Sequence, residues 1–235
     1  MLVLDKVNAG YGPAQTLHDI DLEVRQGEVV CIIGRNGAGK TSTMRAIVDD
    51  IIRTTGGRIH FNGEDITRLK SHAIVRKGIG YVPEDRRVFA SLTVADNLQV
   101  PKSFAADGSG YWTVEKVCEL FPPLQEFRTR LAGNLSGGQQ QMLTIARSLL
   151  TNPTLLLLDE PHEGLAPLVT RDVVEAIHKL KSFGVSMLIS EQQLHLVHGT
   201  ADRIYIIDRG QIAFTGTTEE FERDPEIAQR YLMVM

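Results

Sequence analysis

Short, wholly apolar runs alternate along the chain with segments whose apolar residues recur at helical spacing. That alternation predicts an α/β domain. Leu2 to Val7 and Leu17 to Val24 read as early strands, joined through a turn at Gly10-Tyr11-Gly12-Pro13. Gly57 to Phe61 reads as a strand ahead of the Asn62-Gly63 turn. Further buried strands are predicted at Val29 to Ile33, Ile79 to Val82, Leu155 to Leu158, Val185 to Ile189 and Ile204 to Ile207. Asp208 to Gln211 then turns the chain into Ile212-Ala213-Phe214. From Arg86 to about Gly133 the pattern changes to short helices and loops, with a turn at Asp107 to Gly110 and a helix end at Phe121-Pro122-Pro123. Trp112 lies in this stretch and is expected in its core.

Chemistry enters where the third apolar run ends. Gly34-Arg35-Asn36-Gly37-Ala38-Gly39-Lys40-Thr41 fits G-x-x-x-x-G-K-[ST] and is followed by Ser42 to Val48, which reads as a helix. Strand, glycine loop and helix is the context this phosphate-binding motif requires. The glycines let backbone N–H groups curl around phosphate oxygens, where a Cβ would block the approach. The helix N-terminus adds unpaired donors and partial positive charge. Lys40 is expected to reach the β- and γ-phosphates, and the Thr41 hydroxyl to meet Mg²⁺.

Two later motifs fit the same chemistry. Leu155 to Leu158 delivers Asp159 and Glu160 to a strand end, where α/β sheets bind ligands. Asp159 is placed to hold Mg²⁺ and Glu160 to polarise the attacking water. Leu135-Ser136-Gly137-Gly138-Gln139 opens a helix whose apolar positions are Met142, Ile145, Ala146 and Leu149. Adjacent glycines at a helix start suggest a second anion-facing turn, serving a different nucleotide from the one held at Lys40.

Composition narrows the setting. The 235 residues suit one large α/β domain or a domain with a substantial subdomain. The net charge of −4 is spread along the chain, with no basic face, so nucleic acid is not an expected partner. Cys31 and Cys118 are isolated, and Cys31 sits in an apolar run. This points to core thiols in a reducing compartment, not a disulfide framework. Met1 to Lys6 lacks the features of a signal peptide, and no apolar run approaches the ~20 residues of a spanning helix.

The order of Gly34 to Thr41, Leu135 to Gln139 and Leu158-Asp159-Glu160-Pro161 resembles an ABC transporter ATP-binding subunit over essentially the whole chain. The resemblance implies a P-loop ATPase core with an N-terminal antiparallel β region and a helical insertion subdomain at 86–150, within one domain spanning 1–235. It implies ATP and Mg²⁺ as cofactors. Two subunits would sandwich two ATP molecules head to tail, with Ser136, Gly137, Gly138 and Gln139 of one closing on the γ-phosphate held by the other. Tyr11 resembles the aromatic residue that stacks on adenine. Glu84, in Pro83-Glu84-Asp85, occupies a loop that meets Mg²⁺ and water and borders the membrane partner, where most members carry glutamine. Gln192 occupies the switch position, where most carry histidine. His195 and His198 fall later and are expected to face solvent or pack.

Pro83 to Phe89, Glu163 to Pro167 and Glu191-Gln192 together look like the shorter of the two ATPase subunits of branched-chain amino acid importers. That subfamily shares the glutamate and glutamine substitutions. His162 stands where its members more often have serine, and Ala166 replaces the usual aspartate. The expected partners are transmembrane permease subunits, a second and different ATPase subunit (a homodimer being the alternative), and indirectly a periplasmic substrate-binding protein. The expected location is the cytoplasmic face of the inner membrane. Three alternatives stay open: a cargo of amides, urea or aromatic compounds; a soluble ABC ATPase outside transport; and a non-catalytic ATP-gated subunit.

Overall fold

The structure is a computed structural model that describes residues 1–103, 110–192 and 199–223. In chain order the strands are β1 (Leu2–Tyr11), β2 (Ala14–Val24), β3 (Val29–Ile33), β4 (Arg53–Phe61), β5 (Glu64–Asp65), β6 (Ile79–Val82), β7 (Leu155–Asp159), β8 (Ser186–Glu191), β9 (Arg203–Asp208) and β10 (Gln211–Thr217). The α-helices are α1 (Lys40–Val48), α2 (Ser71–Arg76), α3 (Val94–Gln99), α4 (Val114–Leu120), α5 (Pro122–Glu126), α6 (Gly137–Leu149), α7 (Pro167–Ser182) and α8 (Thr218–Arg223). The chain divides into two units, 1–74 with 186–235, and 75–185. The second unit contains the 86–150 segment together with β6, β7 and α7.

In the first unit, β1 pairs antiparallel with β2 and with β4. Both strands of the first hairpin are longer than the apolar pattern predicts, and only Gly12-Pro13 remains as the turn. Gly10 and Tyr11 pair with Gln15 and Ala14 instead of turning, and bulges keep the apolar side chains of the long strands on one face. Leu2, Leu4, Val7 and Ala9 are all buried, which strict alternation cannot achieve. The register shifts between Leu4 and Val7, and Lys6 takes φ 46°. Skipping one residue returns Val7 to the buried face. Asp19, at φ 48°, lies in β2 between the buried Leu17 and Ile20. Gly57 answers the Lys6 bulge from β4: a Cβ there would sit 2.1 Å from the Lys6 carbonyl oxygen. β3 is buried at every residue and lies parallel to β8 and β9, while β10 closes antiparallel on β9. Cys31 is 1% exposed, as expected of a core thiol.

In the second unit, β6 and β7 run parallel. The helices start where the sequence supplies caps. Thr93 and Asp96 form a capping box on α3, Thr113 caps α4, and Ser136 with Gln139 caps α6. Buried Asn97 fixes the preceding loop, accepting from Phe89 N–H and donating to the Phe89 and Thr93 carbonyls. Trp112 is buried, edge-on to Tyr111 and Phe183, so it belongs to the core of this unit. Of the turn expected at Asp107 to Gly110, only Gly110 is described. His195 and His198 lie outside the described residues.

Candidate functional site

Gly34 to Thr41 leaves β3 and enters α1, as the strand–loop–helix pattern predicts. Gly34 must lack a side chain: a Cβ there would meet the Ile207 carbonyl oxygen at 2.5 Å. Gly37 at φ 77° and Gly39 at φ 118° hold backbone conformations that a β-carbon penalises. The Ala38 N–H donates to the Arg35 carbonyl at 3.1 Å and closes the turn, leaving Arg35, Asn36 and Gly37 exposed. Lys40 is only 3% exposed, and its ammonium donates to the carbonyls of Gly34 at 2.8 Å and Arg35 at 3.1 Å. The cation therefore lies along the inner edge of the loop, braced by the backbone it would share with a phosphate.

Two predicted residues join this loop within the same unit. Ile33 pairs with Glu191, so Gly34 and Gln192 leave neighbouring parallel strands side by side, and the Gly34 N–H donates to the Glu191 carbonyl. Gln192 is half-buried there. Tyr11, at the end of β1, places its hydroxyl 3.4 Å from the Ser42 hydroxyl. Its ring is partly exposed at the first turn of α1.

The second unit holds the carboxylates. Val82 pairs with Leu158, so the Glu84 loop and Asp159-Glu160 follow from the ends of adjacent parallel strands. Asp159 is fully buried and accepts a hydrogen bond from the Tyr81 hydroxyl at 3.2 Å. Glu160 is 7% exposed and takes φ 44°, a conformation costing a non-glycine residue about 1–3 kcal/mol. The Glu163 N–H donates to the Glu160 carbonyl at 3.1 Å and fixes that turn. Glu84 lies exposed on its loop.

The glycines ahead of α6 have local reasons of their own. A Cβ on Gly138 would fall 2.1 Å from Val169 Cγ1, so α7 could not lie where it does. A Cβ on Gly137 would fall 2.3 Å from Arg86 Nη1. The Gln139 side chain accepts from the Ser136 N–H at 3.0 Å, while the Ser136 hydroxyl accepts from the Gln139 N–H at 3.3 Å. No motif in the sequence marks Tyr81 or Arg86 for these contacts. Both act through contacts to residues 77 or 78 positions away, and no local spacing signals such a contact.

Comparison with known proteins decides the family. The model described as "ABC transporter" matches residues 17–163. This chain belongs to the ABC transporter family. It is an ABC ATPase, and the loop at Lys40 and the carboxylates at Asp159-Glu160 fall within the matched region. The chain is 41% identical to the high-affinity branched-chain amino acid transport ATP-binding protein BraG of Pseudomonas aeruginosa, covering 99% of each. It is 33% identical to the lipopolysaccharide export system ATP-binding protein LptB of Haemophilus influenzae, over 99% of this chain and 97% of that one. A solved ATP-binding cassette in its ADP conformation superposes with a TM-score of 0.81 at 28% identity, covering 97% of each chain. No described helix of the ABC ATPase is long and apolar enough to cross a membrane.

Proposed function

We propose that this ABC ATPase energises an importer for branched-chain or related hydrophobic amino acids, from the cytoplasmic face of the inner membrane. The observation that carries this reading is the 41% identity to BraG over nearly the full length of both chains. Glu84 and Gln192, the departures that define the resemblance to that subfamily, both lie at the ends of core strands. The similarity to LptB supports one other reading, an ATPase that drives lipopolysaccharide export. Co-purification of the chain with its membrane subunits separates the two. An amino acid permease supports the proposal, and a lipopolysaccharide exporter overturns it.

Within that reading, Gly34 to Ser42 wrap the phosphates, Lys40 neutralises the β- and γ-oxygens, and Tyr11 stacks on adenine. The donors on offer, the Thr41 hydroxyl and the Asp159 carboxylate, are hard oxygen ligands that suit Mg²⁺. Thr41, Asp159 and Glu84 would hold the ion. When bound, Mg²⁺ neutralises charge on the phosphate oxygens. Glu160 accepts the proton of the attacking water, and its neutral amide analogue cannot. Gln192 donates its amide N–H to the γ-phosphate without adding a charge. Ser136 to Gln139 close over ATP held by the second ATPase subunit. That subunit is a different chain carrying histidine at the switch, and native mass spectrometry of the intact complex tests this. Two copies of this chain with no other ATPase would reject the heteromer.

A further inference from the structure

Pro83 to Phe89 leaves β6 as the loop that carries Glu84, and arginines fasten it on two sides. On one side Arg147, in α6, donates to the Arg87 carbonyl at 2.7 Å and lies 4.2 Å from the centre of the Phe89 ring. On the other side lies Arg86. Its Nη2 donates to the Glu163 carbonyl at 2.6 Å. Its Nη1 lies over the first residue of α6, where a Cβ on Gly137 would come within 2.3 Å. A Cβ on Gly164 would come within 3.3 Å of Nη2. One guanidinium therefore touches both the start of α6 and the turn that follows Glu160, while its backbone belongs to the Glu84 loop.

The backbone at both ends of this link is unusual. Arg86 takes φ 51° and Glu160 takes φ 44°. Such conformations persist in non-glycine residues only where surrounding contacts enforce them. For Glu160 the enforcing contact from its own turn is the Glu163 N–H on its carbonyl. The Glu163 carbonyl is in turn held by Arg86. A charged donor makes a stronger hydrogen bond than a neutral one, so this is the firmer of the two steps.

We propose that Arg86 is a positioning residue, which holds the Glu160 turn in its left-handed conformation and ties it to the Glu84 loop and the first turn of α6. The inference rests on the reading of Glu160 as the general base. Movement of the Glu84 loop would then pull on Glu160 through Arg86 and Glu163. A link of this kind acts on the rate of the chemical step and leaves ATP capture at Lys40 alone.

The test uses the full chain as wild type, Arg86→Ala, Arg86→Lys and Glu160→Gln. Three quantities are read: kcat for ATP, KM for ATP, and hydrogen–deuterium exchange of the 160–165 amides without nucleotide. Misplacing a catalytic group by about 1 Å costs up to ~10²-fold, so Arg86→Ala should lower kcat about 10- to 100-fold with KM within about 2-fold. Exchange at the Glu163 amide should rise in the same variant, because its turn opens locally. Arg86→Lys keeps one charged donor and should recover part of both. Unchanged exchange in Arg86→Ala overturns the link. So does faster exchange with wild-type kcat, or a lysine variant no better than alanine. If Arg86→Ala fails to fold, Gly137→Ala pushes the same guanidinium aside and should raise exchange at Glu163; no rise there also overturns the proposal. If Glu160→Gln retains wild-type turnover, the base assignment falls, while the exchange data still decide whether Arg86 holds the turn.

Discussion

In the unit that holds Lys40, the shape of the glycine loop is set almost entirely by backbone. In the unit that holds Glu160, the carboxylate region is set by side chains from distant parts of the sequence. The Lys40 loop takes its shape from Gly37 and Gly39 at positive φ and from carbonyls that brace the ammonium. The Glu160 region depends on Tyr81 to Asp159 and on Arg86 to Glu163. A backbone device is written in consecutive residues and tolerates no Cβ. A side-chain device is written at long range and can be loosened one bond at a time. The first unit is therefore expected to fail all at once, and the second by degrees.

The largest expected effect separates the chemical step from the rest. Glu160→Gln should cut turnover ~10²–10⁴-fold in steady-state assays of the reconstituted transporter, as loss of a general base does. Near-normal turnover would remove Glu160 from that role. Next comes a backbone device. Gly57→Ala combines φ 76° with a contact of 2.1 Å to the Lys6 carbonyl oxygen, and should lower stability by about 3 kcal/mol in denaturant titration. A loss below about 0.5 kcal/mol would mean that the bulge relaxes freely.

Gly138→Ala probes whether that glycine serves packing or phosphate. Overpacking against Val169 should cost about 1–3 kcal/mol. Val169→Ala in the same chain should restore stability, and failure to do so would point away from the α6–α7 contact. Tyr11→Ala should weaken ATP binding by ~1–3 kcal/mol if the ring stacks on adenine. Tyr11→Phe should cost less, limited to the long contact with Ser42 at 3.4 Å. Equal harm from both would reject stacking. The smallest effect belongs to Tyr81→Phe, which deletes one hydrogen bond to Asp159. It should raise the Mg²⁺ concentration needed for half-maximal nucleotide binding by a few-fold, consistent with ~1 kcal/mol. An unchanged Mg²⁺ dependence would make that bond merely structural.

The same division explains what the sequence made legible. The buried strands announced themselves as apolar runs, and β6 ends where the pattern predicts. The glycine loop ahead of α1 was legible because its glycines, its lysine and its flanking elements are contiguous. The early hairpin runs longer than its apolar pattern because Gly10 and Tyr11, which look like part of a glycine turn, pair as strand residues with Gln15 and Ala14. The signature turn was read as an anion site alone. Its glycines also accommodate Val169 and Arg86, which only the packing of α7 and of the Glu84 loop reveals. Arg86 lay in full view within Pro83 to Phe89. Its partner is 77 residues away, so no spacing rule could assign it.

If Lys40 serves ATP capture and Glu160 serves hydrolysis, the two functions should separate. The most direct test is calorimetric ATP affinity measured in parallel for Lys40→Ala and Glu160→Gln. A split is expected: Lys40→Ala loses affinity at least ~10-fold, because a charge-assisted phosphate contact and the brace on the loop go together, whereas Glu160→Gln binds ATP as tightly as wild type. Equal losses of affinity in both variants, or an intact affinity in Lys40→Ala, would contradict it.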